Sequence, residues 1–132
     1  MDRASVKGII SAISAEISEN KDYLVELDQV NGDGDLGISM DDGYKAVVKF
    51  LETAEEPDLG KLIMACGKTF NASAPSSLGT ITAFGFTGMA KALKGKEEAT
   101  FEEAAKAVLA GVENIMAKAE SKVGEKTIVD SL

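Results

Sequence analysis

Histidine is absent from these 132 residues. That removes a histidine general base and any His-ligated zinc site. A single cysteine, Cys66, allows no internal disulfide and fits a reducing, cytoplasmic setting. It falls within an apolar helical pattern and reads as a small buried residue rather than a nucleophile. Only two prolines occur, and no low-complexity run. No stretch approaches the length of a membrane span. The N-terminus, Met1-Asp2-Arg3-Ala4-Ser5, leads into an amphipathic pattern and not into the apolar run of a signal peptide. Basic residues are in the minority: 14 Lys and Arg face 22 Asp and Glu, for a net charge of −8. A nucleic acid or an anionic membrane is therefore excluded as the main partner. The chain has no Walker-type lysine loop, no Ser nucleophile elbow, and no basic patch interleaved with aromatics.

What is present describes one soluble globular domain over residues 1–132, with 45% apolar and 27% charged residues. Val6, Ile9, Ile10, Ile13 and Ile17 repeat at helical spacing. Tyr23, Leu24 and Leu27 continue that period past a polar Asn20-Lys21-Asp22. Met40, Tyr44, Val47, Val48 and Leu51 mark the next helix, with Gly43 inside it as a sign of close packing or ligand approach. Glu55-Glu56-Pro57-Asp58 ends it. Leu59, Leu62, Ile63, Cys66 and Phe70 form a third stripe; Ile81, Ala83, Phe84, Met89 and Leu93 form a fourth. Thr100 with Glu103 predicts a capping box for a helix through Ile115 and Met116. Lys126 to Leu132 begins a fresh apolar segment, whose Thr127 to Val129 is the only strand-like candidate. The pattern predicts an all-α antiparallel array with short loops.

The array is organised around Leu27-Asp28-Gln29-Val30-Asn31-Gly32-Asp33-Gly34-Asp35-Leu36-Gly37-Ile38-Ser39-Met40. Asp28, Asp33 and Asp35 repel one another when a loop fixes them close together, which calls for a cation. Their oxygens are hard ligands suited to Mg²⁺ or Ca²⁺, with no soft ligand nearby. Glycines let such a loop fold inward. Leu27 and Met40 are expected to pin its two ends to the core. A second stretch, Asn71-Ala72-Ser73-Ala74-Pro75-Ser76-Ser77-Leu78-Gly79-Thr80, opens a helix. Its small residues suit either a phosphate at the helix N-terminus or plain N-capping by Ser76 or Ser77.

Leu27-Asp28, then Gly32-Asp33-Gly34-Asp35-x-Gly37-x-x-Met40, resembles the signature of the nucleotide-binding L subunit of dihydroxyacetone kinases, a superfamily shared with fatty-acid kinase. Ser76 to Gly79 stands where that family has its phosphate loop. Gly124-Glu125-Lys126-Thr127-Ile128-Val129-Asp130 is similar to its GDKT-xx-D segment. The resemblance implies an eight-helix antiparallel barrel with the nucleotide, ADP or ATP, at one end. It assigns Mg²⁺ to Asp28, Asp33 and Asp35. It assigns the phosphates to the backbone of Leu36, Gly37, Ile38 and Ser39 and to Ser77, Leu78 and Gly79, and places Ile128 near the adenine. No residue of this chain is implied as a covalent catalyst. The implied activity is phosphoryl transfer to dihydroxyacetone or a similar hydroxy-ketone held on a partner subunit. ATP is the direct donor in one branch; in the other a phosphocarrier protein recharges bound ADP.

Three features depart from the family pattern. Leu36 replaces the usual histidine. Ala74-Pro75-Ser76-Ser77 replaces a glycine-rich run, and Pro75 lacks an N–H. The family also continues through further helices that close over the nucleotide. The expectation is therefore a barrel with its last helices missing, in a fragment or a short relative. Its apolar interior is then covered by a partner or by a second copy in a homodimer. These departures support the alternative of a non-catalytic regulatory or binding relative. A calcium module is a further alternative. Asn31, Asp33, Asp35, Gly37, Ser39 and Asp42 fall at EF-hand spacing, although Leu36 stands where that loop needs glycine and Asp42 where it needs glutamate.

Overall fold

Four polar side chains start four of the helices. In the computed structural model, which describes all 132 residues, Asp2 accepts from the Ser5 N–H and opens α1 (Arg3–Glu19). Asp58 accepts from the Lys61 N–H and opens α4 (Leu59–Ser73). Ser76 accepts from Gly79 and opens α5 (Ser77–Ala92). Thr100 accepts from Glu103 and opens α6 (Phe101–Ala119). The expected capping box at α6 is only half formed, because the Glu103 carboxylate turns to Lys96 at 3.1 Å. The remaining helices are α2 (Lys21–Gln29) and α3 (Leu36–Thr53), with a 3-10 turn at Ile128–Asp130.

The fold is all-helical, with no strand. The apolar period that runs through Asn20 is broken there. Asn20 ends α1 and turns its amide back on the Glu16 carbonyl oxygen at 2.9 Å. Thr127 to Val129 is not a strand, and the helical start there goes no further than the 3-10 turn. Thr127 caps the 3-10 turn, and the Asp130 carboxylate accepts from the Gly124 and Lys126 N–H groups. This closes a tight loop on itself.

The helices pack in sequence: α3 against α1, α2 and α4, then α4 against α5, and α5 against α6. Phe70, Leu59, Leu62, Leu93, Val47 and Cys66 are completely buried along the α3–α4–α5 seam. Burial pushes the Cys66 thiol up to about 12, so it is an inert core residue. Outward from the seam the array is open. Two cavities of about 440 and 450 Å³ are lined almost wholly by apolar side chains, drawn between them from all six helices. Ile9, Val108 and Leu109 stay at least half exposed at the outer helices. No helix is long and apolar enough to cross a membrane.

Candidate functional site

The acidic loop is built by Asp28, at the end of α2. Its main-chain oxygen accepts from Gly32 (2.6 Å) and Asn31 (3.2 Å). Its carboxylate Oδ2 accepts from the Gly34 N–H (3.0 Å) and the Leu36 N–H (3.3 Å). One side chain thus draws the loop round itself and holds the first turn of α3. Gly34 has φ +82°, a conformation that side chains resist. A Cβ on Gly32 would lie 2.5 Å from Asp28 Oδ1. These two glycines let the carboxylates converge. One oxygen each from Asp28, Asp33 and Asp35 lie within 4.8 Å of one another. Asp33 Oδ1 accepts from the Asp35 N–H at 3.3 Å. Asp35 occupies the N-cap of α3 without capping it. Desolvation, the shared hydrogen bond with Asp33 and the charges of Asp33 and Asp28 raise its pKa above the usual carboxylate value. The group is short of positive charge, and its donors are oxygen alone.

The loop is not pinned by Leu27, which is 51% exposed on a helix that buries no residue. Met40 is buried as expected, at 7%. On the other side the anchor is Gly37, where a Cβ would meet the Lys21 carbonyl oxygen at 2.5 Å, so α2 and α3 touch backbone to backbone. α3 already begins at Leu36, so Gly37, Ser39 and Asp42 lie in a helix. They cannot wrap an ion as the second half of an EF-hand loop, and the calcium-module alternative fails on geometry.

Facing the loop is the start of α5. The two border one cleft of about 780 Å³, lined by Asp28, Asp33, Asp35 and Leu36 on one side and by Ser76, Ser77 and Leu78 on the other. The Ser77 and Leu78 N–H groups donate to no protein acceptor, so the positive end of the α5 dipole opens into the cleft. Gly79 does not line the cleft. Its N–H is taken by Ser76, and it packs on the Ala74 carbonyl. Gly37, Ile38 and Ser39 follow Leu36 into the first turn of α3 and lie outside the lining. Ile128 lines the adjoining apolar cavity, which shares Leu36 and Leu78 with the cleft.

Sequence reasoning missed Asn71 and Thr80 as lining residues. The Thr80 hydroxyl donates to Asn71 Oδ1 at 3.3 Å across the α4–α5 turn. It also missed Asp41, whose side chain is 1% exposed. Ser18 donates to Asp41 Oδ1 at 2.5 Å, and Lys45 to Oδ2 at 2.6 Å; Lys21 stands at 3.6 Å. This cluster ties α1 and the start of α2 to α3 beneath the acidic loop. Burial raises the Asp41 carboxyl, but the Lys45 and Ser18 hydrogen bonds and the two lysine charges hold it below the ordinary value. A depressed value adds stability that is present above the unfolded pKa and lost as pH falls through the folded one. Replacing Asp41 with Asn is expected to cost about 2 kcal/mol at neutral pH. In urea unfolding, the gap to the wild type should close as the pH falls below about 4.

The DAK2 domain family model matches residues 30–132. The chain belongs to the DAK2 domain family. Asp33, Asp35 and the start of α5 lie inside the matched DAK2 segment, and Asp28 lies two positions before it. The chain is 34% identical over 114 residues to the "PEP-dependent dihydroxyacetone kinase 1, ADP-binding subunit DhaL" of Listeria innocua, covering 86% of this chain and 57% of that one. The corresponding ADP-binding subunit of Escherichia coli is 25% identical, with 98% and 62% covered. The "PTS-dependent" subunit of Lactococcus lactis is 30% identical, with 92% and 60% covered. This DAK2 chain thus spans about 60% of the length of these curated relatives. Its fold matches the crystal structure of the dihydroxyacetone kinase from C. freundii in complex with AMP-PNP and Mg²⁺. The TM-score is 0.81 at 23% identity, over 96% of this chain and 23% of that one.

Proposed function

We propose that this DAK2 chain is the nucleotide-binding part of a dihydroxyacetone-kinase-type phosphotransferase and binds ADP or ATP together with Mg²⁺ in the acidic cleft. The observation that carries this is the meeting of three converging carboxylates and a helix N-terminus with two free N–H groups across one cleft. The all-oxygen donor set fits Mg²⁺, which usually takes a few carboxylates plus phosphate oxygens. Asp28, Asp33 and Asp35 would hold the ion. When bound, magnesium neutralises phosphate oxygens and polarises the transferred group. The chain's own work is positioning. The Ser77 and Leu78 N–H groups receive phosphate oxygens. Leu36 and Leu78 form the apolar step from the phosphate end toward Ile128, where the base would lie. Phosphoryl transfer needs such placement and charge balance more than a covalent nucleophile.

The relatives' names, ADP-binding subunits of PEP- or PTS-dependent dihydroxyacetone kinases, support ADP as the resident nucleotide. They also support a division of labour. The acceptor, a small hydroxy-ketone such as dihydroxyacetone, sits on a separate substrate-binding subunit, and a phosphocarrier protein recharges the ADP. The test is calorimetric titration of ADP into the chain with and without Mg²⁺, repeated with Asp33→Ala. The expected result is saturable binding that requires Mg²⁺ and is lost in the variant. A folded chain that binds no ADP in either condition would instead make this a non-catalytic relative. Leu36 and Pro75, which bring neither charge nor an extra N–H donor to the cleft, would then be the reason.

A further inference from the structure

A second cleft lies at the other end of the α4–α5 pair. It encloses about 450 Å³, and its rim carries Lys61 and Lys68 from α4, Lys91 from α5 and Lys94 from the turn that follows α5. Its floor includes Gly60 and Ala90, where the two helices touch: a Cβ on Gly60 would lie 2.7 Å from the Ala90 carbonyl oxygen. The run of α5, about 20 Å at 1.5 Å per residue, separates it from the acidic cleft. No carboxylate lines it. None of its four lysines takes part in an ion pair. This concentration of unpaired positive charge stands in a chain whose net charge is −8.

Helix chemistry explains only half of the cluster. Lys91 and Lys94 close α5, where the dipole favours cations. Lys61 sits in the first turn of α4, where the dipole disfavours them, and Lys68 stands mid-helix. Lys91 and Lys94 also line the same cleft as Lys61 and Lys68, and like charges gathered in one cleft repel. An anion between the two helices relieves both costs.

We propose that this cleft binds a compact polyanion with three or more negative charges, at a site separate from the acidic cleft. The charge count follows from exposure. Each exposed lysine contributes at most about 1 kcal/mol to an ion pair in water, so only a ligand that engages several at once is held. The size follows from the floor. A protein partner needs roughly 800 Å² per side with aromatic anchors, and between its lysines the cleft offers only Gly60, Met64, Ala65 and Ala90, with no aromatic residue. The acidic remainder of the surface opposes a long nucleic acid. Phosphate and carboxylate chemistry both satisfy these terms, and the probes below separate them.

The experiment follows the backbone amide resonances of the intact chain during titration with inorganic tripolyphosphate, and separately with citrate, at low ionic strength and without divalent cations. Under these conditions the three aspartates repel anions, so the outcome does not depend on the nucleotide reading. Saturable shifts at residues 60–68 and 90–95 are expected. Affinity should fall more than tenfold in Lys68→Glu/Lys91→Glu, fall with added salt, and stay unchanged in Asp33→Ala. Both lysines are exposed, and the amide spectrum of the double variant reports its folding directly. Saturation by tripolyphosphate alone supports a polyphosphate ligand; saturation by both probes supports polyanions generally; saturation by citrate alone supports a polycarboxylate. Absence of saturable shifts, equal affinity in the charge-reversed variant, or shifts centred on Ser77 and Leu78 would each overturn the proposal.

Discussion

Asp28→Ala is expected to abolish Mg²⁺-dependent ADP binding and to release the loop as well, whereas Asp28→Asn should abolish binding and leave the loop in place. The difference comes from the two tasks of one carboxylate. As a charge, Asp28 sits with Asp33 and Asp35 around a common point. A unit charge about 4 Å from a cation is worth about 4 kcal/mol at an effective dielectric near 20, so its loss weakens binding on the order of 100-fold or more. As an acceptor, Asp28 Oδ2 holds the Gly34 and Leu36 N–H groups. Charge-assisted bonds of this kind contribute roughly 1.5–3 kcal/mol each. An asparagine oxygen still accepts, though more weakly; a methyl group does not. Hydrogen exchange at Gly34 and Leu36 reads the second task, and calorimetry reads the first. The Ala variant should lose protection at both amides, and the Asn variant should keep it. Wild-type ADP affinity in either variant would remove Asp28 from the site.

This double role also shows what hydrophobic pattern does and does not convey. The helices at α3, α4, α5 and α6 were legible because their apolar stripes repeat at helical spacing between clear breaks at Pro57, Pro75 and Gly95. The loop's anchor was not. Leu27 fits the stripe but lies on α2, which buries nothing. The hold comes from main-chain donors reaching a carboxylate, and apolar pattern carries no record of that. Asp41 was hidden for a related reason. An Asp four residues before a Lys normally reads as a solvated surface pair, and it is buried here only because Ser18 and Lys21 arrive from other helices. The acidic loop and the Ser76–Leu78 turn were each legible as local chemistry, but their meeting was not. Some forty residues separate them. Only the resemblance to a known family put them on one nucleotide, and the shared cleft is a tertiary fact. Asn71 and Thr80 join the lining through the same turn.

The largest effect on stability is expected at the contact between Gly43 and Phe70, and its sign should depend on the background. Phe70 is fully buried, edge-on to Tyr44 with ring centroids 4.9 Å apart and tilted against Phe86 at 5.9 Å. Truncation of such a side chain to alanine costs about 4 kcal/mol, a large share of the roughly 5–15 kcal/mol that holds a domain together. Gly43 faces the ring. A Cβ there would lie 2.6 Å from Phe70 Cε2 and Cζ, and the flanking rings leave Phe70 no room to retreat. Gly→Ala in a helix gains about 1 kcal/mol in propensity, and overpacking of this kind costs roughly 1–3 kcal/mol. Gly43→Ala should therefore destabilise the wild type by up to about 2 kcal/mol in urea unfolding. In a Phe70→Leu background the clash is gone and the propensity gain remains, so the same substitution should become neutral or stabilising. The coupling energy of the cycle is then about 2 kcal/mol. Additive effects would show that the ring yields freely. The contact also sets how closely α3 approaches α4, and with it the spacing between the loop that opens α3 and the turn that follows α4. ADP affinity should accordingly fall in Gly43→Ala and recover in Gly43→Ala/Phe70→Leu, so that one packing contact controls both the stability of the helical array and the width of its cleft.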